Sequence, residues 1–130
     1  MKKVLVDSDV IIAHLRGDHR ALSLLRPLLA DGLAACSALT VIEVQSGVRD
    51  CGREKQETDG LFAVVEVLSL GKPEAELAGG LIRDKRSTGL TVGLVDAAIA
   101  ATCLVHGYNL LTFNVRHFKP LGVSLLSGVG

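Results

Sequence analysis

Val4-Leu5-Val6-Asp7-Ser8-Asp9-Val10-Ile11-Ile12 is the stretch on which the fold turns. The β-prone apolar residues predict a short strand over Lys3–Val6. Asp7, Ser8 and Asp9 then supply side-chain oxygens that cap a helix, the apolar run to Leu15 fills it, and Gly17 stops it. Strand, turn and helix follow within fifteen residues. A domain that repeats this alternation builds a parallel sheet with helices on both faces.

The rest of the chain does repeat it. Residues 19–31 place Leu22, Leu25, Leu28 and Leu29 on one helical face, with Pro27 expected to kink or shorten the helix and Gly32 to end it. Leu33–Ser37 reads as a second buried strand, and Thr40-Val41-Ile42-Glu43 as the opening of a helix toward Arg49 or Cys51. Gly52–Gly60 is the most polar stretch, a solvated helix or loop. Val64–Leu68 is a third strand. Lys72-Pro73-Glu74 starts a helix with proline in its first turn, running to about Arg86. A further helix begins at Leu94-Val95-Asp96 and stops at Gly107. Tyr108–Thr112 is the fourth strand and Val123–Leu126 a candidate fifth. Residues 1–130 fit one α/β domain with a mostly parallel sheet of four to five strands.

Composition narrows the function. An apolar content of 48% with only 3% aromatic gives an aliphatic core and leaves little for a base-stacking platform. Fourteen basic residues balance fourteen acidic ones, which argues against a protein that coats polyanions by bulk attraction. No apolar run is long enough to span a bilayer, and Asp7 and Asp9 interrupt any signal-peptide core. Cys36, Cys51 and Cys103 lack C-x-x-C spacing and read as buried free thiols of a reducing compartment, hence the cytoplasm. No G-x-S-x-G or P-loop motif is present.

Three acids stand at helix starts. Asp7 follows the first strand, Glu43 lies in the first turn after the second, and Asp96 opens the helix before the fourth. Capping explains each one singly: Asp7 as an N-cap, Thr40 with Glu43 as a capping box, Asp96 as a cap or a complement to the helix dipole. Together they mean more, because carboxylates gathered at one sheet edge repel and raise one another's pKa unless a cation is present. Oxygen-only ligation favours Mg²⁺ or Mn²⁺, and the chemistry that follows is phosphodiester hydrolysis.

The chain resembles a PIN domain, more narrowly a VapC-type toxin. The resemblance is carried by Val4-Leu5-Val6-Asp7-Ser8-Asp9-Val10, by Ser37-Ala38-Leu39-Thr40-Val41-Ile42-Glu43-Val44, by Asp96-Ala97-Ala98-Ile99-Ala100-Ala101-Thr102, and by Leu111-Thr112-Phe113-Asn114-Val115-Arg116-His117-Phe118. In order, these blocks cover roughly residues 3–127. The resemblance implies a three-layer PIN fold, Mg²⁺- or Mn²⁺-dependent RNA cleavage, Asp7, Glu43 and Asp96 as acidic ligands, and Ser8, Asp9, Thr112 and Asn114 lining the site, with Asn114 orienting water or a carboxylate. Many members carry a fourth acid in the last block; here those positions hold Asn114 and His117.

Arg83, Lys85 and Arg86, and separately Arg116, His117 and Lys119, form basic clusters. They read either as solvated faces or, with Arg86, Arg116 and His117 foremost, as contacts to RNA phosphates. His14, His19 and His106 have no metal-ligand spacing. Val10–Leu15 and Ala21–Leu29 carry more apolar residues than one face needs, which suggests a homodimer and an apolar groove for an antitoxin segment. Two competing readings are a silent PIN-like binding module and a phosphoacceptor receiver domain. The latter lacks its middle-strand aspartate and late lysine.

Overall fold

A computed structural model describes residues 2–126. Four strands, β1 (Val4–Val6), β2 (Ala34–Ser37), β3 (Glu66–Leu68) and β4 (Asn109–Leu111), form one sheet in the order β3-β2-β1-β4. Every pairing is parallel. Helices α1 (Ser8–Leu15), α2 (His19–Ala30), α3 (Ala38–Ser46), α4 (Arg53–Val64), α5 (Lys72–Ser87), α6 (Leu94–His106) and α7 (Val115–Phe118) connect and cover it.

The three-layer arrangement follows from the strand period of two. Val4 and Val6 point into a core shared with Val10, Ile11, Leu25 and Val44 from α1 to α3. Leu5 points the opposite way, into a core with Ile99, Ala100, Cys103 and Phe118 from α6 and α7. Adjacent residues Leu110 and Leu111 divide between the same two cores. Small residues over Ala97–Ala101, all at most 4% exposed, let α6 lie close against the sheet and α5.

The strand order fixes where chemistry can happen. From β1 the chain moves through β2 to β3 on one side, then returns to place β4 on β1's other side. The switch point lies between β1 and β4, and ligands of open parallel sheets bind outside the carboxyl ends of strands at such a point. Asp7 and Thr112 are the residues immediately beyond those two ends, and the Asp7 N–H donates to the Leu111 carbonyl at 2.9 Å.

Several local expectations change. α2 runs through Pro27 to Ala30. Pro27 is exposed, so water can take the carbonyl that its missing N–H leaves unpaired. The polar stretch is helical, steadied by Arg53–Glu57 and Lys55–Asp59 pairs at i,i+4. Because α4 continues to Val64, β3 is shorter than the apolar run suggests. α3 begins at Ala38 rather than Thr40 and ends at Ser46. Val123–Leu126 makes a single parallel bridge, Leu110 to Leu125, and no strand. His106 has an acidic partner that sequence spacing does not show, Glu74 Oε1 at 3.1 Å, brought in from 32 residues away. Cys36 and Cys103 are buried free thiols, but Cys51 is exposed.

The apolar surplus of α1 and α2 is largely absorbed, since Val10, Ile11, Ala21, Leu25 and Leu28 are all buried. The most exposed large apolar residues lie elsewhere: Leu94 is 77% and Ile42 65% exposed. Among the described residues no helix is long and apolar enough to cross a membrane.

Candidate active site

Asp7 is both a cap and something more. Its backbone is extended as an N-cap requires, and its Oδ1 accepts from the Ser8 N–H at 2.9 Å. Its Oδ2 accepts from the Thr112 hydroxyl at 2.9 Å, across the switch point. Thr112 Oγ1 in turn accepts from the Asn114 N–H at 3.0 Å. This short relay locks the end of β1 to the end of β4 and fixes the plane of the carboxylate.

Asp9, in the first turn of α1, accepts from the Phe113 N–H through Oδ2 at 3.1 Å. Its Oδ1 is buried without a hydrogen-bond partner, as is Thr40 Oγ1 in the first turn of α3. Asp96 is the third residue of α6, behind Gly93 at the N-cap, so it sits in the first turn without capping. Its Oδ2 lies 3.4 Å from His117 Nδ1.

Electrostatics binds these acids into one group. The Asp7 carboxyl is pushed up to about 6, first by burial, then by the charge of Asp9 and, more weakly, of Asp96; the hydrogen bonds from Thr112 and Ser8 pull it partly back. Burial raises Asp9 as well, against the opposing hydrogen bond from Phe113. A buried carboxyl crowded by two others is a costly arrangement for the chain alone and a favourable one for a cation.

Glu43 does not join them. The capping box with Thr40 is not formed: Ser37 is the N-cap of α3, accepting from the Leu39 N–H at 3.1 Å, and Thr40 sits inside the helix. Glu43 is exposed, its carboxylate makes no hydrogen bond or ion pair among the described residues, and it is absent from the charges that perturb Asp7. Among the described residues no three His, Cys, Asp or Glu side chains are gathered closely enough to hold one metal ion. Mutual repulsion and the rotamer freedom of an exposed glutamate account for the open arrangement.

The donor set nevertheless suits a hard divalent ion: carboxylates only, one buried oxygen lacking a partner, and a raised pKa that a positive charge would relieve. Mg²⁺ is held through one or two carboxylates with water completing its shell, and Asp7 with Asp96 or Asp9 would serve.

Ser8 donates its backbone N–H to Asp7 and lies half-buried beside it. Asn114 is exposed and contributes its backbone N–H to the relay. Arg116 and His117 border a groove with Asp96, whereas Arg86 is exposed in the last turn of α5 and does not line it. The apolar wall of that groove, Leu90, Val92 and Pro120, carried no sequence signal: Leu90 and Val92 lie in a glycine-bounded loop that reads as a connection, and Pro120 in the turn after α7.

Comparison with known proteins agrees with this architecture. The PIN-domain family model matches residues 4–122. Ribonuclease VapC10 of Mycobacterium tuberculosis is 39% identical over 115 residues, covering 88% of this chain and 85% of its own length. FitAB bound to a DNA fragment superposes with a TM-score of 0.82 at 23% identity, over 95% of this chain and 93% of that one. A toxin–antitoxin complex from Klebsiella pneumoniae gives 0.77 at 22% identity, over 95% and 97%. The structural likeness establishes the shared fold, the sequence identity a nearer kinship, and the chain belongs to the VapC-type PIN-domain family.

Proposed function

We propose that the chain is a Mg²⁺- or Mn²⁺-dependent endoribonuclease and the toxin of a toxin–antitoxin pair. One observation carries the reading: a buried Asp7 raised to about 6 at the switch point, with Asp9 and Asp96 close enough to raise it. The naming of relatives as ribonucleases supports the activity, and the toxin–antitoxin complex among the structural neighbours supports the biological setting.

In this reading Asp7 and Asp96 hold the cation, Asp9 adds negative charge from below, and Glu43 swings in from the exposed face of α3 when an ion draws it. A bound divalent ion supplies a lowered pKa for the attacking water and charge stabilisation at the phosphate. The chain's own contribution is orientation. The Ser8 N–H and Thr112 hydroxyl fix both oxygens of Asp7, and His117 holds Asp96. Asn114 stands at the exposed rim, where its side-chain amide can orient water.

Control would come from a small antitoxin protein. A groove of about 500 Å³ runs between α1, α3 and α4, where Ile12, Leu15, Val44 and Val48 lie among both signs of charge, Arg16, Arg49 and Arg53 with Asp50, Glu54 and Glu57. An amphipathic helix laying its apolar face on those aliphatic residues fits that chemistry.

The test is incubation of purified protein with mixed RNAs. Cleavage is expected with Mg²⁺ or Mn²⁺, and none with EDTA. A second reading, a silent RNA- or protein-binding module, is favoured by the exposed Glu43 and by Asn114 and His117 where a fourth acid would stand. RNA left intact with either metal at every concentration tried would decide for it.

A further inference from the structure

Beside Asp96 lies a groove of about 330 Å³ whose lining combines Leu90, Val92 and Pro120 with Arg116 and His117. We infer that this groove is a subsite for one unpaired nucleotide flanking the scissile phosphate, with Arg116 on a phosphate oxygen and the apolar wall against the base. The inference rests on the RNA-cleaving reading and specifies how that substrate is held.

Three observations carry it. The first is the state of Arg116. It is exposed, and its guanidinium makes no ion pair or hydrogen bond among the described residues, although Asp96 lines the same groove. Some other surface cations are committed, Lys3 to Glu66, Arg53 to Glu57 and Lys55 to Asp59, and others such as Arg83 and Arg86 are not, among the described residues. What sets Arg116 apart is that it is uncommitted and lines one groove with Asp96. An uncommitted guanidinium beside a cluster of carboxylates is placed to receive an anion that those carboxylates would otherwise repel. In a chain with no net charge, attraction for RNA has to be local.

The second is the division of labour with His117. Its Nδ1 is 3.4 Å from Asp96 Oδ2, so the ring is engaged with the acid and Arg116 is left for the phosphate.

The third is the wall. Leu90 is 39% exposed, and Pro120 is exposed beside it. Among the described residues no Phe or Tyr lines the groove and the His117 ring lies against Asp96, so a base packs by its flat face against aliphatic carbon. The volume sits at the low end of ligand clefts, roughly 300–1,000 Å³, which suits a single nucleotide. In an A-form duplex the base faces are stacked away and unavailable to such a wall. The groove therefore selects unpaired RNA and discriminates weakly among bases.

Binding can be read apart from catalysis. A fluorescein-labelled 12-nucleotide RNA in EDTA, single-stranded or annealed to its complement, is titrated with protein and followed by anisotropy at several salt concentrations. The single strand is expected to bind more tightly than the duplex. Arg116→Gln should weaken single-strand binding about tenfold, and lower the slope of log K against log salt by about 0.7, the value for one phosphate contact on a single strand. Arg116→Lys should keep the slope. Unchanged affinity and slope in Arg116→Gln, or equal binding of duplex, would overturn the subsite. Cleavage by the wild-type protein with no effect of Arg116 on binding would leave the enzyme standing and remove the subsite. Arg116-dependent binding without cleavage in either metal would do the reverse.

Discussion

Asp7→Asn is expected to abolish RNA cleavage while making the metal-free protein more stable at pH 7.5. Loss of a metal-holding carboxylate forfeits several kcal/mol of transition-state stabilisation, so the rate should fall by about 10²–10³ or more. The gain in stability follows from the raised carboxyl. The single oxygen of asparagine still caps α1, and its Nδ2 can donate to Thr112 Oγ1 in place of the bond Asp7 accepted there, while no charge is left to be buried against Asp9 and Asp96. A shift from 3.8 to about 6 corresponds to about 2–3 kcal/mol. The pH dependence has a definite sign. Below about pH 4 the folded and unfolded wild-type chains both keep the proton, and this group costs nothing. Between pH 4 and 6 the unfolded chain releases it first, and the wild type loses stability. Above about pH 6 the loss is complete. The advantage of Asp7→Asn in urea unfolding without metal should therefore grow from pH 4 to pH 6 and then level off. A variant less stable than wild type at pH 7.5 would mean that the buried charge carries no penalty.

The second large effect is expected at Thr112, a residue that need not touch substrate. Its hydroxyl is buried, donates to Asp7 Oδ2 and accepts from the Asn114 N–H. Valine has nearly the same shape and does neither. Thr112→Val should cost about 2–4 kcal/mol, one hydrogen bond to a charged group plus one neutral bond. Residues that orient a metal-holding carboxylate typically govern metal affinity by 10–100-fold. The Mg²⁺ concentration for half-maximal cleavage should rise by about that factor, with much of the rate recovered at saturating Mg²⁺. Thr112→Ser, which keeps the hydroxyl, should stay within a few-fold of wild type. A purely structural threonine would lower stability in Thr112→Val without moving the Mg²⁺ requirement.

Both expectations depend on features that the sequence disclosed unequally. The strand–turn–helix at Val4–Leu15 was readable because apolar period, capping residues and a stopping glycine agreed at one place. The alternation of strands and helices then dictated parallel pairing, and with it the position of Asp7 and Asp96 near one edge. Asp9 was harder to read. A polar residue in a first turn looks solvated, and only the loop after β4, whose Phe113 N–H reaches its carboxylate, makes it half-buried.

The capping box at Thr40 and Glu43 misled in the other direction. T-x-x-E spacing suggested a capping box, but Ser37, one residue before the helix, took the cap and displaced the register by three. Nothing in Thr40-Val41-Ile42-Glu43 reveals whether the glutamate faces the acids or the solvent. That depends on charge, and the charge that would attract it belongs to an ion. The apolar groove wall was illegible for a simpler reason: Leu90, Val92 and Pro120 come from two segments about thirty residues apart in sequence that meet only once α6 and α7 pack together.

Uptake of Mn²⁺ by the metal-free protein at pH 7.5, followed through the loss of the free-ion electron paramagnetic resonance signal, examines the carboxylate edge itself. Wild-type protein should remove the ion from solution at the switch point between β1 and β4, and Asp7→Asn and Asp96→Asn should each weaken that uptake at least about tenfold. Equal uptake by all three proteins, or none by the wild type, would mean that these acids do not form a cation site.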